Sequence, residues 1–431
     1  MANFAQRKVA RESIEGTGTV VPDGLELPAE SVEGILADLA QNEKEIDQHD
    51  AEADVLAEDA TETEEQFDAV GEADDAAADP SDDKMEAEED MSDEAAEALD
   101  VAQESIRRRW GFDHRASVAR ESYGARNRRQ VARESLWDDI KAFFRRIWEW
   151  LKEQGRKVKD RWLKFSNQGK SIQNRSKKYA EIIRNLGKIK SGKDEISGGF
   201  IKSLTVGGKF IGDNVTELKA ALGKSDDMNK AQADLLSDLV TFTDVIEKGV
   251  TDAKGHSGAA AGSAAFHEHS ALVKDMKAFA GSEELLGNQI AKIEVSGEGE
   301  EVSVTATVVE SERDVPSEVK TPSIGTLGTV NTFYGNLGKE IEKFVQAYHK
   351  NNQAREKYEN GIEKILKRLD NLKVDDLDAD VSKLVRISRR FITSSQSLLS
   401  TAERVVGTIA KNAVAGINSY IQAGIAAYDK K

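Results

Sequence analysis

Residues 135–158, with the sequence SLWDDIKAFFRRIWEWLKEQGRKV, carry a pattern that predicts a long amphipathic helix. Large apolar residues recur every three or four positions, with one turn missed at Gln154, as they do on one face of an α-helix. Ser135 followed by Asp138 and Asp139 is typical of a helix start, because a serine can cap free N–H groups and acids favour the first turn. The recurring apolar residues are Trp137, Ile140, Phe144, Ile147, Leu151 and Val158.

The chain beyond this helix has the pattern of a mainly α-helical body with a minor β element. Val302, Val304, Ala306 and Val308 alternate with polar residues, which predicts a strand. The glycine-rich stretches 187–225 and 325–338 indicate turns and loops, with a hairpin possible in the first, and 255–262 is flexible in composition. Further helices are predicted at 173–186, 228–248, 339–372 and 381–428.

Charge divides the chain into segments of opposite sign. The net charge is −18, yet residues 13–104 hold 33 acids and 2 bases, a local charge of −31, and the remainder carries +13. A segment so rich in carboxylates and so poor in apolar residues is predicted to be disordered in isolation. The expected organisation is an acidic disordered propeptide at 1–104, a basic linker at 105–134, basic aromatic amphipathic helices at 135–190, a mixed region with minor β structure and glycine-rich loops at 191–338, and long C-terminal helices at 339–431.

Composition excludes several classes of protein. Without cysteine the chain has no disulfide, thiolate metal site or cysteine nucleophile. The N-terminus lacks the apolar core of a secretory signal, and the most apolar run, Val405 to Tyr428, contains Lys411 and several amides, so no membrane span is expected.

A pentapeptide returns four times before residue 136. A pattern this tight is expected in a random window about once in a million. The copies are Val9-Ala10-Arg11-Glu12-Ser13, Val101-Ala102-Gln103-Glu104-Ser105, Val118-Ala119-Arg120-Glu121-Ser122 and Val131-Ala132-Arg133-Glu134-Ser135.

The copies lie where the amino-acid composition of the chain changes from one segment to the next. The first two bracket the acidic segment, and the last ends where the aromatic helix begins. A protease binds an extended strand in its cleft, so a short repeated sequence in flexible chain indicates cleavage sites. The alternative is a duplicated linker without functional consequence, which gives no reason for the same five residues at each border.

Cleavage at Ala-x-Glu resembles the consensus of the prohead proteases of large tailed bacteriophages, which trim internal head, inner-body and scaffold proteins. The resemblance covers the N-terminal third of the chain and identifies it with the proteolytically matured internal head proteins of such phages. It implies cleavage after Glu12, Glu104, Glu121 and Glu134, with Ala10, Ala102, Ala119 and Ala132 as specificity residues. It also implies a prohead protease and other head proteins as partners, and a location inside the capsid.

Removal of residues 1–134 changes the charge at the new N-terminus. Residues 135–190 hold 16 bases and 6 acids, a net +10. Before the cut the acidic segment can neutralise this region in cis, and afterwards the region can contact DNA phosphates without sequence preference. The aromatic face packs on the body or, alternatively, binds a membrane or a partner helix. The candidate contact residues for DNA or membrane are Arg145, Arg146, Lys152, Arg156, Lys157, Trp148 and Trp162.

The sequence gives little sign of catalysis. Gly223-Lys224-Ser225 and Gly169-Lys170-Ser171 lack the first glycine of a phosphate-binding loop, since Leu218 and Lys164 stand there. His256, His267 and His269 have no matching ligand pattern, so we expect no metal, no cofactor and no enzyme.

The expected function is therefore that of an internal structural protein of a phage head, made as a precursor. Two alternatives stay open: a membrane-active or ejected virion protein that uses the tryptophan-rich helix, and a scaffold protein whose fragments leave the capsid. The oligomeric state is left open as well.

Overall fold

The computed structural model describes residues 32–77, 93–112, 128–166, 168–252, 281–296, 303–374 and 379–431. Over these ranges the protein is mainly α-helical with short antiparallel strands, which confirms the predicted fold class. The helices are α1 (Val32–Ala77), α2 (Asp93–Trp110), α3 (Arg128–Ser166), α4 (Gln168–Arg184), α5 (Phe200–Ser203), α6 (Val215–Asp252), α7 (Ile324–Leu369) and α8 (Ala379–Ala426). The strands are β1 (Leu186–Ile189), β2 (Glu195–Ile196), β3 (Thr205–Val206), β4 (Lys209–Phe210), β5 (Gly281–Leu285), β6 (Gln289–Ser296), β7 (Ser303–Glu310), β8 (Val319–Lys320) and β9 (Tyr428–Lys430).

Long helices form the centre of the body. The 46 residues of α7 span about 69 Å at 1.5 Å per residue, and α7 packs on α3, α4, α6 and α8. Two apolar clusters lie along this length. One contains Phe242, Tyr358 and Phe391 with the first half of α3, and the other contains Trp162, Tyr334 and Tyr420 with α4 and most of the short strands. The long helices pass through both clusters and join them.

Glycines at the start of α7 allow close helix packing. Residues 325–338 were predicted to be a loop because of their glycines. That prediction is wrong, because α7 begins at Ile324 and includes all of these residues. A Cβ on Gly338 would lie 2.8 Å from the carbonyl oxygen of Gly169 on α4, so only glycine permits this approach. Ser323 caps the helix, since its hydroxyl accepts from the N–H of Thr326 at 3.1 Å.

The β structure is peripheral and antiparallel. The predicted strand around Val304 and Val308 is confirmed as β7, which joins β5 and β6 in a three-stranded sheet. Thr401 of α8 donates to the carbonyl of Ala306 at 3.0 Å and so ties this sheet to the body. A hairpin within 187–225 is also confirmed: β3 pairs with β4 around Gly207 and Gly208, whose φ values of 56° and 80° suit a tight two-residue turn.

The acidic segment differs most from expectation. Disorder in isolation was predicted for 13–104 and an extended basic linker for 105–134; among the described residues of these segments, α1, α2 and the start of α3 are helical in the folded chain. Apolar residues of α1 account for the difference, because Leu56, Ala60, Phe67 and Val70 are buried in the cluster that also contains the first half of α3. These four residues give α1 a buried apolar face, and Arg146, Arg386 and Arg389 of the body pair with its Glu52, Asp68 and Glu64. Residues 1–31, 78–92 and 113–127 lie outside the described ranges.

Candidate functional site

Two copies of the repeated pentapeptide lie in the described part of the chain, and both are helical. Residues 101–105 are in α2 and residues 131–135 are in α3, so the prediction that the motif lies in flexible chain is wrong for these two copies. The Glu104 side chain is 52% exposed, whereas Ala102 is half-buried. Ala132 is fully buried and Glu134 is half-buried. The copies that contain Ala10 and Glu12, and Ala119 and Glu121, lie outside the described residues.

The bond after Glu134 lies beside a buried ion pair. Arg107 of α2 donates from Nε and Nη2 to the carboxylate of Asp139 on α3, at 2.9 Å and 2.5 Å, and also donates to the hydroxyl of Ser135 at 2.6 Å. Ser135 follows the predicted scissile bond directly. The residue that would become the new N-terminus therefore holds α2 against α3.

A second set of contacts joins the acidic helix α1 to α8. Arg389 donates from Nε and Nη2 to the two oxygens of Glu64, at 2.5 Å and 2.6 Å, and the two side chains are only 2% and 3% exposed. The same guanidinium donates to the hydroxyl of Thr61 at 2.9 Å. One turn along α1, Asp68 pairs with Arg386. Two carboxylates of α1, those of Glu64 and Asp68, are thus bound by arginines of α8.

Next to these pairs a groove of about 700 Å³ lies between α1, α8 and β7. Its α8 side carries Arg389, Arg390 and Arg404 together with serine and threonine hydroxyls, and its α1 side carries Asp54 and Glu58. The groove is therefore cationic on one wall and anionic on the other. The hydroxyls that line it belong to Thr61, Thr305, Thr307, Thr393, Ser394, Ser397, Ser400 and Thr401.

The aromatic face of α3 is packed inside the protein. Trp162 was a candidate contact for DNA or membrane, but it is 1% exposed and its indole N–H donates to Glu403 at 3.0 Å. Trp137, Phe143 and Phe144 are buried as well. The fold shows that this face is packed, mainly against α1 and α7, and Phe67 of α1 lies 6.3 Å from Trp137 between ring centroids.

The basic residues of α3 remain at the surface. Arg145 is exposed and pairs with Asp370, and Arg146 is half-buried and pairs with Glu52 of α1 at 3.0 Å. Lys152 lies over the ring of half-buried Trp148, with 3.6 Å from Nζ to the centroid. Arg156 is exposed, and half-buried Lys157 pairs with Glu153 at 3.3 Å. The structure does not gather these residues into one site.

A buried polar network surrounds Glu403 of α8. Its carboxylate accepts from Trp162, from Arg355 at 3.0 Å and from Gln232 at 2.6 Å. Such an arrangement satisfies a buried charge from three helices and fixes how they pack. Nearby on α7, burial raises the pKa of the Glu359 carboxyl, while Arg355 and Lys152 act in the opposite direction. The network opens onto no substrate cleft in the described structure, and it is organised as a packing contact.

Membrane and metal sites were also sought in the described ranges. None of the helices there combines the length and apolar content that crossing a bilayer needs. No group of three or more His, Asp or Glu side chains is placed to hold a metal ion in those same residues. The cluster of His256, His267 and His269 lies outside the described residues.

Comparison with protein families matches residues 41–419 to the phiKZ-like phage internal head proteins. The chain belongs to this family. The resemblance inferred from the repeated motif is therefore confirmed, and the protein resides inside the phage capsid. The match includes three of the four pentapeptide copies and begins after the first. Comparison with curated proteins and with solved structures found no match.

Sequence reasoning missed the contact between α1 and α8. Arg386, Arg389 and Arg390 recur at helical spacing within a predicted helix, but spacing within one helix does not show which distant segment these arginines face. On the other side, Leu56, Ala60, Phe67 and Val70 are separated by four, seven and three residues. That spacing is a helical signal, although composition over the whole acidic segment obscured it.

Proposed function

We propose that this internal head protein is made as a precursor and that the prohead protease cuts it after the glutamates of the pentapeptides. The cuts would follow Glu12, Glu104, Glu121 and Glu134, and the retained part, residues 135–431, would associate with packaged DNA. Residues 1–134 are called the leader below. The role is structural, with the protease, other head proteins and DNA as partners.

The observation that carries this proposal is the fourfold recurrence of one pentapeptide before residue 136 in a chain that belongs to an internal head family. Each copy offers a small residue two positions before a glutamate. Alanine suits a narrow subsite, and a carboxylate can be gripped by an arginine or lysine of the protease. Internal head proteins are confined with the protease that matures the head, so encounter between the two requires no further targeting.

Cleavage would change the charge of the protein. Residues 1–134 hold 37 acids and 14 bases, and residues 135–431 hold 41 acids and 46 bases. The net charge would rise from −18 for the precursor to +5 for the retained part. A protein of positive charge is attracted to the phosphate backbone, and this attraction weakens with salt. The leader thus keeps the precursor from binding nucleic acid before the head is assembled.

The local sequence prepares α3 for a cut after Glu134. Once that bond is broken, Ser135 stands at the helix start with Asp138 and Asp139 in the first turn. Acids there interact favourably with the helix dipole, so the shortened helix remains stable. The new ammonium group of Ser135 would also lie near Asp139 and compete with Arg107 for it. Cleavage would in this way loosen α2 from α3.

The protease must open the helical copies before it cuts them. Its cleft takes extended chain, and residues 101–105 and 131–135 are helical in the intact precursor. Helix ends unwind more readily than centres, and both copies lie within about two turns of an end of their helix. We therefore expect cleavage to be slower after Glu104 and Glu134 than in unfolded peptides of the same sequence.

The direct test replaces all four motif glutamates by glutamine in the phage and compares the protein in purified particles. The change removes the charge that the protease is proposed to grip and leaves the chain length intact. We expect the variant to keep its leader and the wild type to lose it. A matched control is Glu149→Gln, an exposed glutamate of α3 outside any motif. Loss of the leader from the fourfold variant, as from the control, would refute the proposal.

A further inference from the structure

We propose that the arginine-bearing face of α8 is a binding site for the phosphate backbone of double-stranded DNA, and that α1 occupies this site in the precursor. This inference rests on the proposed cleavage, since the leader must leave before DNA can enter. The site, called the arginine groove below, consists of Arg386, Arg389, Arg390, Thr393, Ser397 and Arg404.

The spacing of these residues places them along one side of α8. The intervals between them are three, one, three, four and seven residues, which at 100° per residue keeps all six within about 100° of one another around the helix. Over 18 residues the face is about 27 Å long, because an α-helix rises 1.5 Å per residue. Duplex DNA of that length contains roughly eight base pairs and presents several phosphates along each strand. The groove can therefore contact about four phosphates.

Glu64 shows what kind of ligand the groove binds. Its two carboxylate oxygens are held by Nε and Nη2 of Arg389 in a parallel, bidentate arrangement, at 2.5 Å and 2.6 Å. A phosphate group offers two oxygens to a guanidinium in the same geometry. The hydroxyl of Thr61 also accepts a hydrogen bond from Nη2 of Arg389, at 2.9 Å. The acidic helix thus presents to α8 the oxygen pattern that a phosphate would present.

The composition of the groove favours DNA over an apolar partner. Its α8 wall is also lined by half-buried Arg390, Ser397 and Arg404, residue types that donate hydrogen bonds to phosphate oxygens, and by Thr393, whose hydroxyl donates to the carbonyl of Arg390 at 2.9 Å. Asp54 and Glu58 on the opposite wall would repel a phosphate. Removal of α1 therefore removes Glu64 from Arg389 and also removes the carboxylates of Asp54 and Glu58 from the opposite wall.

A buried ion pair is a poor means of holding α1 in place, because the desolvation of both charges offsets much of their attraction. Apolar side chains would dock the helix as well. Later binding of a second anion to these arginines would explain why the position has arginines and not apolar residues. Tethering explains why α1, and not DNA, occupies the arginine groove in the precursor. A segment of the same chain has a high effective concentration at the groove, and this concentration falls once the chain is cut.

The test uses the full chain with the recognition sequence of an unrelated protease placed between α2 and α3, within residues 113–127. DNA binding is measured with a fluorescent 30-base-pair duplex before and after cutting, from 50 to 200 mM salt. We expect at least tenfold tighter binding after the cut. Four phosphate contacts give a salt slope near −3.6, so affinity should fall roughly a hundredfold over this range. Because the engineered cut does not depend on the phage protease, failure here is distinct from failure of the proposed processing.

Two variants assign the effect to the groove. Arg390→Gln with Arg404→Gln spares the buried Glu64–Arg389 pair, and we expect it to reduce the salt slope by about 2. Arg368→Gln, an exposed arginine of α7, is the matched control and should bind like the parent. Conversely, Glu64→Gln with Asp68→Asn should strengthen DNA binding of the uncut chain, which keeps the test valid if the arginine variant folds poorly. Equal binding before and after the cut, or equal binding by the arginine variant and its control, would overturn the proposal, as would binding of an acidic protein in place of DNA.

Discussion

Phe67→Ala tests whether α1 is a separable part of the precursor. Phe67 is 5% exposed, its ring centroid lies 6.3 Å from that of Trp137, and the guanidinium carbon of Arg133 lies 5.5 Å from the ring centroid. Truncation of a buried phenylalanine costs about 3–5 kcal/mol. If the loss falls on the docking of α1 alone, the undocked population rises about a hundred- to four-thousandfold, since each 1.4 kcal/mol is a factor of ten.

Hydrogen exchange followed by mass spectrometry distinguishes local from global effects. We expect amides of residues 53–70 to exchange about a hundred- to four-thousandfold faster in the variant, while those of residues 341–366 in α7 keep their protection. Val55→Ala, a change at an exposed position of the same helix, should leave both regions unaffected. Equal loss of protection in α1 and α7 would mean that the leader is an inseparable part of the core, and the reasoning would fail.

Four further substitutions probe the body through thermal or urea unfolding. Burial raises the pKa of Glu359, so its stabilising contribution falls as pH rises through the raised pKa; Glu359→Gln should raise the Tm at pH 7 and have little effect at pH 4, below the ordinary value of 4.5. Gly338→Ala should cost about 1–3 kcal/mol through its contact with Gly169, and an unchanged Tm would contradict the close packing. Glu403→Leu should cost roughly 3–5 kcal/mol by leaving Arg355 buried without its carboxylate, more than Trp162→Phe, which removes one hydrogen bond.

Local periodicity was sufficient to predict much of the fold. The apolar positions of 135–158 are buried as the spacing required, and the alternation around Val304 and Val308 marks a real strand. Gly335 and Gly338 were misleading, because their packing against Ser176 and Gly169 of α4 depends on a partner distant in sequence. The acidic segment was also misjudged. Repulsion among its carboxylates suggests disorder only while the arginines of α8, more than 300 residues away, are left out.

The candidate site was predicted in part. The repeated pentapeptide identified the family without any structure, because a local recognition sequence needs no tertiary context. The sequence left two roles open for the face that includes Trp162, packing on the body and contact with DNA or a membrane, because both kinds of face have the same composition, and only the fold shows that Trp162 is covered. Charge asymmetry indicated that the leader neutralises the body, but it directed attention to α3. The pairing of Glu64 with Arg389 moves the proposed contact to α8, and no local pattern could have specified it.

The most direct test of the central claim is the intact mass and N-terminal sequence of the protein recovered from purified mature particles. Complete processing predicts a chain that begins at Ser135 and ends at Lys431, and incomplete processing predicts a start at Ser13, Ser105 or Ser122. A chain that begins at Met1 or Ala2 with the acidic leader still attached would contradict the claim.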